Sequence, residues 1–103
     1  MAQFVSVAKV SEVPSGQVKH VELGDKTQIC LANVDGVFYA IGGKCTHLGG
    51  PLGKGVLNGT IVTCPWHGSR FDVTSGAVVG PPATKPEPAY EVRLAGEEVE
   101  VSV

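Results

Sequence analysis

Glycine and proline interrupt this chain so often that a helical fold is closed to it. Its 103 residues include 14 glycines and 7 prolines. Proline in a helix interior breaks or kinks the helix, and interior glycine costs about 1 kcal/mol relative to alanine. No segment keeps apolar residues at a 3.6-residue spacing for the length a stable helix needs. The pairs Asp35-Gly36, Asn58-Gly59, Ser75-Gly76 and Ala95-Gly96 instead separate short, valine-rich runs. Asn-Gly and Asp-Gly favour tight hairpins because both central positions tolerate positive φ. Strands are predicted from Val18 to Leu23, Thr27 to Val34, Val37 to Ile41, Thr60 to Thr63, Tyr90 to Leu94 and Glu98 to Val103. The last alternates glutamate or serine with valine, the period-two pattern of a half-buried strand. Glu97, Glu98 and Glu100 read as the acidic side of a solvated edge strand. The implied fold is all-β, an antiparallel β-sandwich or small barrel of eight to ten short strands, with residues 1–103 forming one domain.

Charge and hydropathy exclude several classes of function. A formal net charge of −2 lacks the basic footprint of a nucleic-acid binder. No apolar run approaches the ~18 residues of a membrane span, and the first residues show no charged-then-apolar leader, so the expected location is the cytoplasm. Three cysteines are too few and too odd in number for a disulfide framework, and in a reducing compartment cysteines close to histidines point to metal. Cys30 has no histidine beside it. It lies in the apolar stretch Gln28-Ile29-Cys30-Leu31-Ala32 and reads as a buried structural thiol.

Two glycine-rich segments within about residues 43–72 carry the chemistry. The first is Cys45-Thr46-His47-Leu48-Gly49-Gly50-Pro51-Leu52 and the second Cys64-Pro65-Trp66-His67-Gly68-Ser69-Arg70-Phe71-Asp72. Each supplies one cysteine and one histidine, and each follows a predicted strand. A strand pair around Asn58-Gly59 would bring the two loops to one end of the fold. Thiolate with imidazole suits zinc, copper or iron–sulfur chemistry. A structural zinc site usually pairs like ligands at short spacing. Here cysteine is paired with histidine twice, which suits a two-iron centre whose irons differ in ligation. Spacing by itself leaves zinc open.

Cys-Thr-His-Leu-Gly-Gly followed by Cys-Pro-Trp-His-Gly-Ser resembles the two cluster-binding loops of Rieske proteins, and the length and strand order of the whole chain resemble that family too. The resemblance implies a Rieske-type 2Fe-2S cluster, with Cys45 and Cys64 on the inner iron and His47 and His67 on the outer one. It also implies that the proline-rich segment from Gly80 to Pro88 covers the cluster. Respiratory and photosynthetic relatives carry an extra cysteine in each loop, joined as a disulfide. The matching positions here are Gly50 and Trp66, so the chain is similar to the soluble, oxygenase-associated type. High-potential relatives use a serine and a tyrosine to stabilise the added electron. Ser69 matches the serine, but Phe71 stands where the tyrosine would be, which implies a midpoint below about 0 mV.

The implied role is a one-electron carrier rather than an enzyme, with no catalytic residue. It would run from an NAD(P)H-dependent flavoprotein reductase to a terminal oxygenase or similar acceptor. A terminal oxygenase needs a second iron held by two histidines and a carboxylate. Only His20 remains after His47 and His67, and its strand context reads as surface. Leu48, Pro51, Leu52 and Trp66 are candidates for an apolar docking collar, with Trp66 alternatively packed as a support for the loops. Lys44, Lys54 and Arg70 are the charges within residues 44–70, a mildly basic tip. Two rival readings stand beside the carrier: a small Rieske subunit of a larger reductase of the nitrite-reductase type, and a zinc-stapled β binding module.

Overall fold

The protein is described by a computed structural model covering residues 3–23, 27–46, 49–66 and 68–102. Its strands are β1 (Phe4–Lys9), β2 (Val18–Glu22), β3 (Gln28–Val34), β4 (Val37–Gly42), β5 (Val56–Asn58), β6 (Ile61–Thr63), β7 (Arg70–Asp72), β8 (Val78–Gly80), β9 (Ala89–Tyr90), β10 (Val92–Ala95) and β11 (Glu98–Ser102). The helical segments among the described residues are two 3-10 turns, Val10–Glu12 and Leu52–Lys54. The strands form three antiparallel sheets in the orders β1-β11-β10, β2-β3-β4-β9 and β5-β6-β7-β8. No helix among the described residues is long and apolar enough to cross a membrane.

The all-β expectation holds, but the eleven strands among the described residues exceed the eight to ten read from the sequence. The additions have physical causes. The register of β1 shifts between Ser6 and Ala8, so its side chains do not alternate cleanly. Strands β7, β8 and β9 have two or three residues each, too few to show a period. A second correction concerns the C-terminal acids. Strand β11 is not an edge but the centre of its sheet, with β1 on one side and β10 on the other. Its Val99 and Val101 are fully buried, while Ser6 Oγ donates to Glu98 Oε2 at 2.8 Å and Arg93 Nε to Glu100 Oε1 at 2.6 Å on the other face.

Strand β3 organises the molecule because it is buried on both faces, which an uninterrupted apolar run predicts better than an alternating one. Ile29 and Leu31 enter a core with Val13, Phe38, Val99 and Val101. Cys30 and Ala32 enter a second core with Ile41, Leu52, Val62 and Phe71. Asp35 and Gly36, at φ of 52° and 90°, make the tight turn that returns the chain as β4. Glycine then allows close approach at Gly53 of the Leu52–Lys54 turn, where a Cβ would overlap the His20 backbone on β2. His20 is consequently half-buried, with Nδ1 enclosed and unpartnered, and is not the surface residue its strand context implied.

Candidate metal centre

Two strand ends deliver the predicted cysteine ligands. Beyond Gly42, the last residue of β4, the chain passes Gly43 and Lys44 to reach Cys45, and Cys64 directly follows β6. Both loops then fold as the same turn. In the first, the Cys45 N–H donates to the Gly50 carbonyl (2.8 Å) and the Gly49 N–H to the Cys45 carbonyl (2.8 Å). In the second, the Cys64 N–H donates to the Ser69 carbonyl (2.7 Å) and the Gly68 N–H to the Cys64 carbonyl (3.1 Å). The residue four past each cysteine is a glycine in the left-handed region, Gly49 at φ +79° and Gly68 at φ +80°. A side chain rarely adopts that conformation, so the glycines are the reason both turns close.

The structure brings the two cysteines into one place. Cys45 is 4% exposed and Cys64 3%, and both belong to the core that holds Leu52, Val62, Phe71 and Ala83. No disulfide links the three cysteines. His47 and His67, the other two predicted ligands, lie outside the described residues, as does Leu48 of the predicted collar. Among the described residues no three His, Cys, Asp or Glu side chains gather closely enough to hold an ion, and Cys45 and Cys64 are the described half of the predicted set. The donor chemistry fits a two-iron cluster: two enclosed thiols at the buried end of matched turns, each loop bearing one histidine a few residues further on.

The proline-rich segment meets both loops. Thr46 Oγ1 donates to the Lys85 carbonyl at 2.7 Å, and the Ala83 N–H donates to Ser69 Oγ at 3.1 Å. One hydroxyl from each turn therefore clamps the segment, whose prolines offer no N–H of their own. Ser69 and Phe71 are fully buried beside the cysteines. The docking collar needs a correction. Leu52 is fully buried in the core rather than exposed, because its N–H is tied to the Gly43 carbonyl and its turn packs on β2. Trp66 packs against the first loop, its ring resting on Gly50, yet the residue remains 57% exposed. Gly50 and Trp66, the positions matched to the relatives' disulfide, thus lie against each other. Lys44, Lys54 and Arg70 are exposed.

Two buried groups have displaced proton affinities. Burial, and then the Glu87 carboxylate, push the Cys30 thiol up to about 12, so it stays protonated at neutral pH. Burial pushes the Glu87 carboxyl up to about 7, partly offset by a hydrogen bond from the Thr46 backbone. Neither Glu87 nor the Thr46–Lys85 clamp was singled out from the sequence. The available signal was Pro86-Glu87-Pro88, a charge fixed in a stiff segment, but nothing local says that it turns inward.

Comparison with known proteins places these features. A family model for the Rieske [2Fe-2S] domain matches residues 3–95. Apoptosis-inducing factor 3 of Homo sapiens is 38% identical over 96 residues; the match takes in 93% of this chain but 16% of that protein. The chain thus spans about one-sixth of that relative's length. The biphenyl dioxygenase ferredoxin subunit of Pseudomonas sp. (strain KKS102) is 36% identical, over 93% of this chain and 88% of its own. Among solved structures, a chain in the complex of reduced oxygenase and oxidized ferredoxin in carbazole 1,9a-dioxygenase superposes with a TM-score of 0.90. It is 30% identical, over 96% of this chain and 92% of that one.

Proposed function

Because the chain belongs to the Rieske [2Fe-2S] domain family, we propose that Cys45, His47, Cys64 and His67 hold a two-iron, two-sulfur cluster and that the protein carries electrons one at a time. The observation that carries this reading is the pair of matched turns, which set Cys45 and Cys64 in one core with a histidine following each. When bound, the cluster supplies a reversible one-electron couple. Cys45 and Cys64 would take the inner iron as thiolates, and His47 and His67 the outer one. The protein's own part is to hold and enclose. Leu52, Val62 and Phe71 keep water from the thiols, and Thr46 and Ser69 fasten the proline-rich segment over the loops.

The electron donor in this reading is an NAD(P)H-dependent flavoprotein reductase and the acceptor a terminal oxygenase. The acceptor is supported by the near full-length match to a dioxygenase ferredoxin subunit and by the carbazole dioxygenase complex, in which a ferredoxin meets an oxygenase. The match inside apoptosis-inducing factor 3 shows that a unit of this kind also occurs within a much longer chain. The chain is not itself the terminal oxygenase in this reading. His20, the histidine left over, is half-buried against Gly53 and has no second histidine for a mononuclear iron site. We place residues 1–103 in one domain, with the ligand loops inside about 43–72, and the protein in the cytoplasm, where its cysteines stay reduced.

The test is visible absorption and electron paramagnetic resonance of the isolated protein before and after dithionite. A coloured protein whose reduced form has an average g value below that of an all-cysteine two-iron cluster is expected. A colourless, resonance-silent protein that binds stoichiometric zinc, even after anaerobic reconstitution with iron and sulfide, would sink the reading.

A further inference from the structure

We infer that Trp66 is a positioning residue for both cysteine turns: its indole, from the second loop, seats Gly50 of the first loop against the Cys64 sulfur. The inference rests on the reading of Cys45 and Cys64 as cluster ligands, and it gives a role to a residue that supplies no ligand atom itself.

The second turn fixes where the ring goes. The Cys64 N–H donates to the Ser69 carbonyl at 2.7 Å and the Gly68 N–H to the Cys64 carbonyl at 3.1 Å, so Trp66 rides on a closed turn. Pro65 before it has its own φ locked and keeps Cys64 out of the helical region. From that turn the indole reaches across to the first loop. The position a Cβ would take on Gly50 is 3.1 Å from Trp66 Cγ and Cδ2 and 2.7 Å from Cys64 Sγ. Ring and sulfur thus meet the Gly50 backbone at one point. The Gly50 carbonyl in turn accepts the Cys45 N–H at 2.8 Å. A contact made by Trp66 therefore reaches Cys45 through one residue and one hydrogen bond.

Core filling does not account for the ring. Trp66 is more than half exposed and belongs to neither core, whereas Cys45 and Cys64 are buried in one of them. The hydroxyls of Thr46 and Ser69 tie each loop to the proline-rich segment, but the Trp66–Gly50 contact ties one loop to the other. A flat aromatic ring suits this place, because glycine has no side chain to cover its own backbone. What the ring covers is the flank of Gly50 that borders the Cys64 sulfur. The apolar surround of a metal site controls how far water reaches it, and hence its potential. Reduction adds a negative charge, which water beside the sulfur would stabilise. By keeping that flank dry the ring holds the midpoint down as well as holding the loop in place.

The experiment compares wild type, Trp66→Phe and Trp66→Ala as cluster-loaded proteins, by iron loss to a competing chelator, redox titration and electron paramagnetic resonance after reduction. Phenylalanine keeps a flat ring for Gly50, whereas alanine removes it. Alanine is expected to release iron about 10-fold more readily, to raise the midpoint and to shift the resonance, with phenylalanine close to wild type. A midpoint in Trp66→Ala equal to or below that of wild type would overturn the inference, whether or not iron is lost faster, since faster loss by itself marks only a loosened fold. Phenylalanine behaving as alanine does would overturn it too, because the flat ring would then have no part in the effect. Absence of a mixed-ligand signal from wild type would instead sink the ligand assignment. Far-UV circular dichroism melts check that each variant is folded, and Trp66→Leu, which keeps bulk without a flat ring, replaces Trp66→Ala if that variant is not.

Discussion

Gly50 lies against the Cys64 thiol: a Cβ built on Gly50 would stand 2.7 Å from Sγ and 3.1 Å from the Trp66 ring carbons Cγ and Cδ2. The Cys45 loop thus closes on the Cys64 loop at a glycine, the residue type able to approach a sulfur and an indole together. Gly50→Ala should destabilise the protein by about 1–3 kcal/mol, as overpacking in a closed site does, and lower its iron content. Urea unfolding and iron-to-protein ratio check this. Wild-type values for both would mean that the sulfur and the ring move aside freely.

Cys30 is fully buried and its thiol is pushed up to about 12, first by burial and then by the Glu87 charge. At pH 8 about one molecule in ten thousand would carry the thiolate, the form that reacts. Iodoacetamide should therefore label Cys30 in denaturant and leave it unmodified in the folded protein. Mass spectrometry of the peptide containing Cys30 reads the result, and rapid labelling of the folded protein would contradict its burial.

Glu87 makes stability depend on pH in a stated direction. Its carboxyl is raised from 4.5 to about 7 by burial, with the Thr46 hydrogen bond acting the other way. Between those values the folded state keeps a proton that the unfolded chain has released. Its contribution is therefore full below about pH 4.5 and is lost as pH rises through about 7. Relative to Glu87→Gln, wild type should lose on the order of 1–3 kcal/mol between pH 4.5 and 8. Parallel denaturation midpoints for the two proteins across that range would refute it.

Ser69 and Phe71 are both fully buried next to the cysteines, but Phe71 has no hydroxyl to stabilise an added electron. The midpoint should lie below about 0 mV, in the lower part of the Rieske range. Redox titration followed in the visible spectrum measures it, and a value above about +200 mV would defeat the hydrogen-bond argument.

Lys54 and Arg70 are exposed in a stretch, residues 44–70, that holds no acidic residue. Reversing both to glutamate should slow reduction by an acidic partner reductase at low salt, with the difference shrinking as salt screens it. Equal rates for wild type and variant at low salt would remove charge from the docking account.

The sequence by itself determined the local features of this protein. The turn pairs, the period-two run at Glu98 to Val103 and the unbroken apolar run at Ile29 to Ala32 depend on φ preference and on which faces of a strand are wetted. Both are properties of neighbouring residues. The cysteine and histidine loops were legible for the same reason, since short spacing and a following glycine are chemical facts of the segment. Tertiary structure decided what depends on distant parts of the chain. It made β11 a central strand by placing β1 beside it, across almost the whole chain length. It drew Leu52 out of the docking surface, turned Glu87 inward against Gly42 and Gly76, and set Gly50 on the Cys64 sulfur. Sheet order and burial follow from contacts that form only once distant segments meet, so no local pattern could announce them.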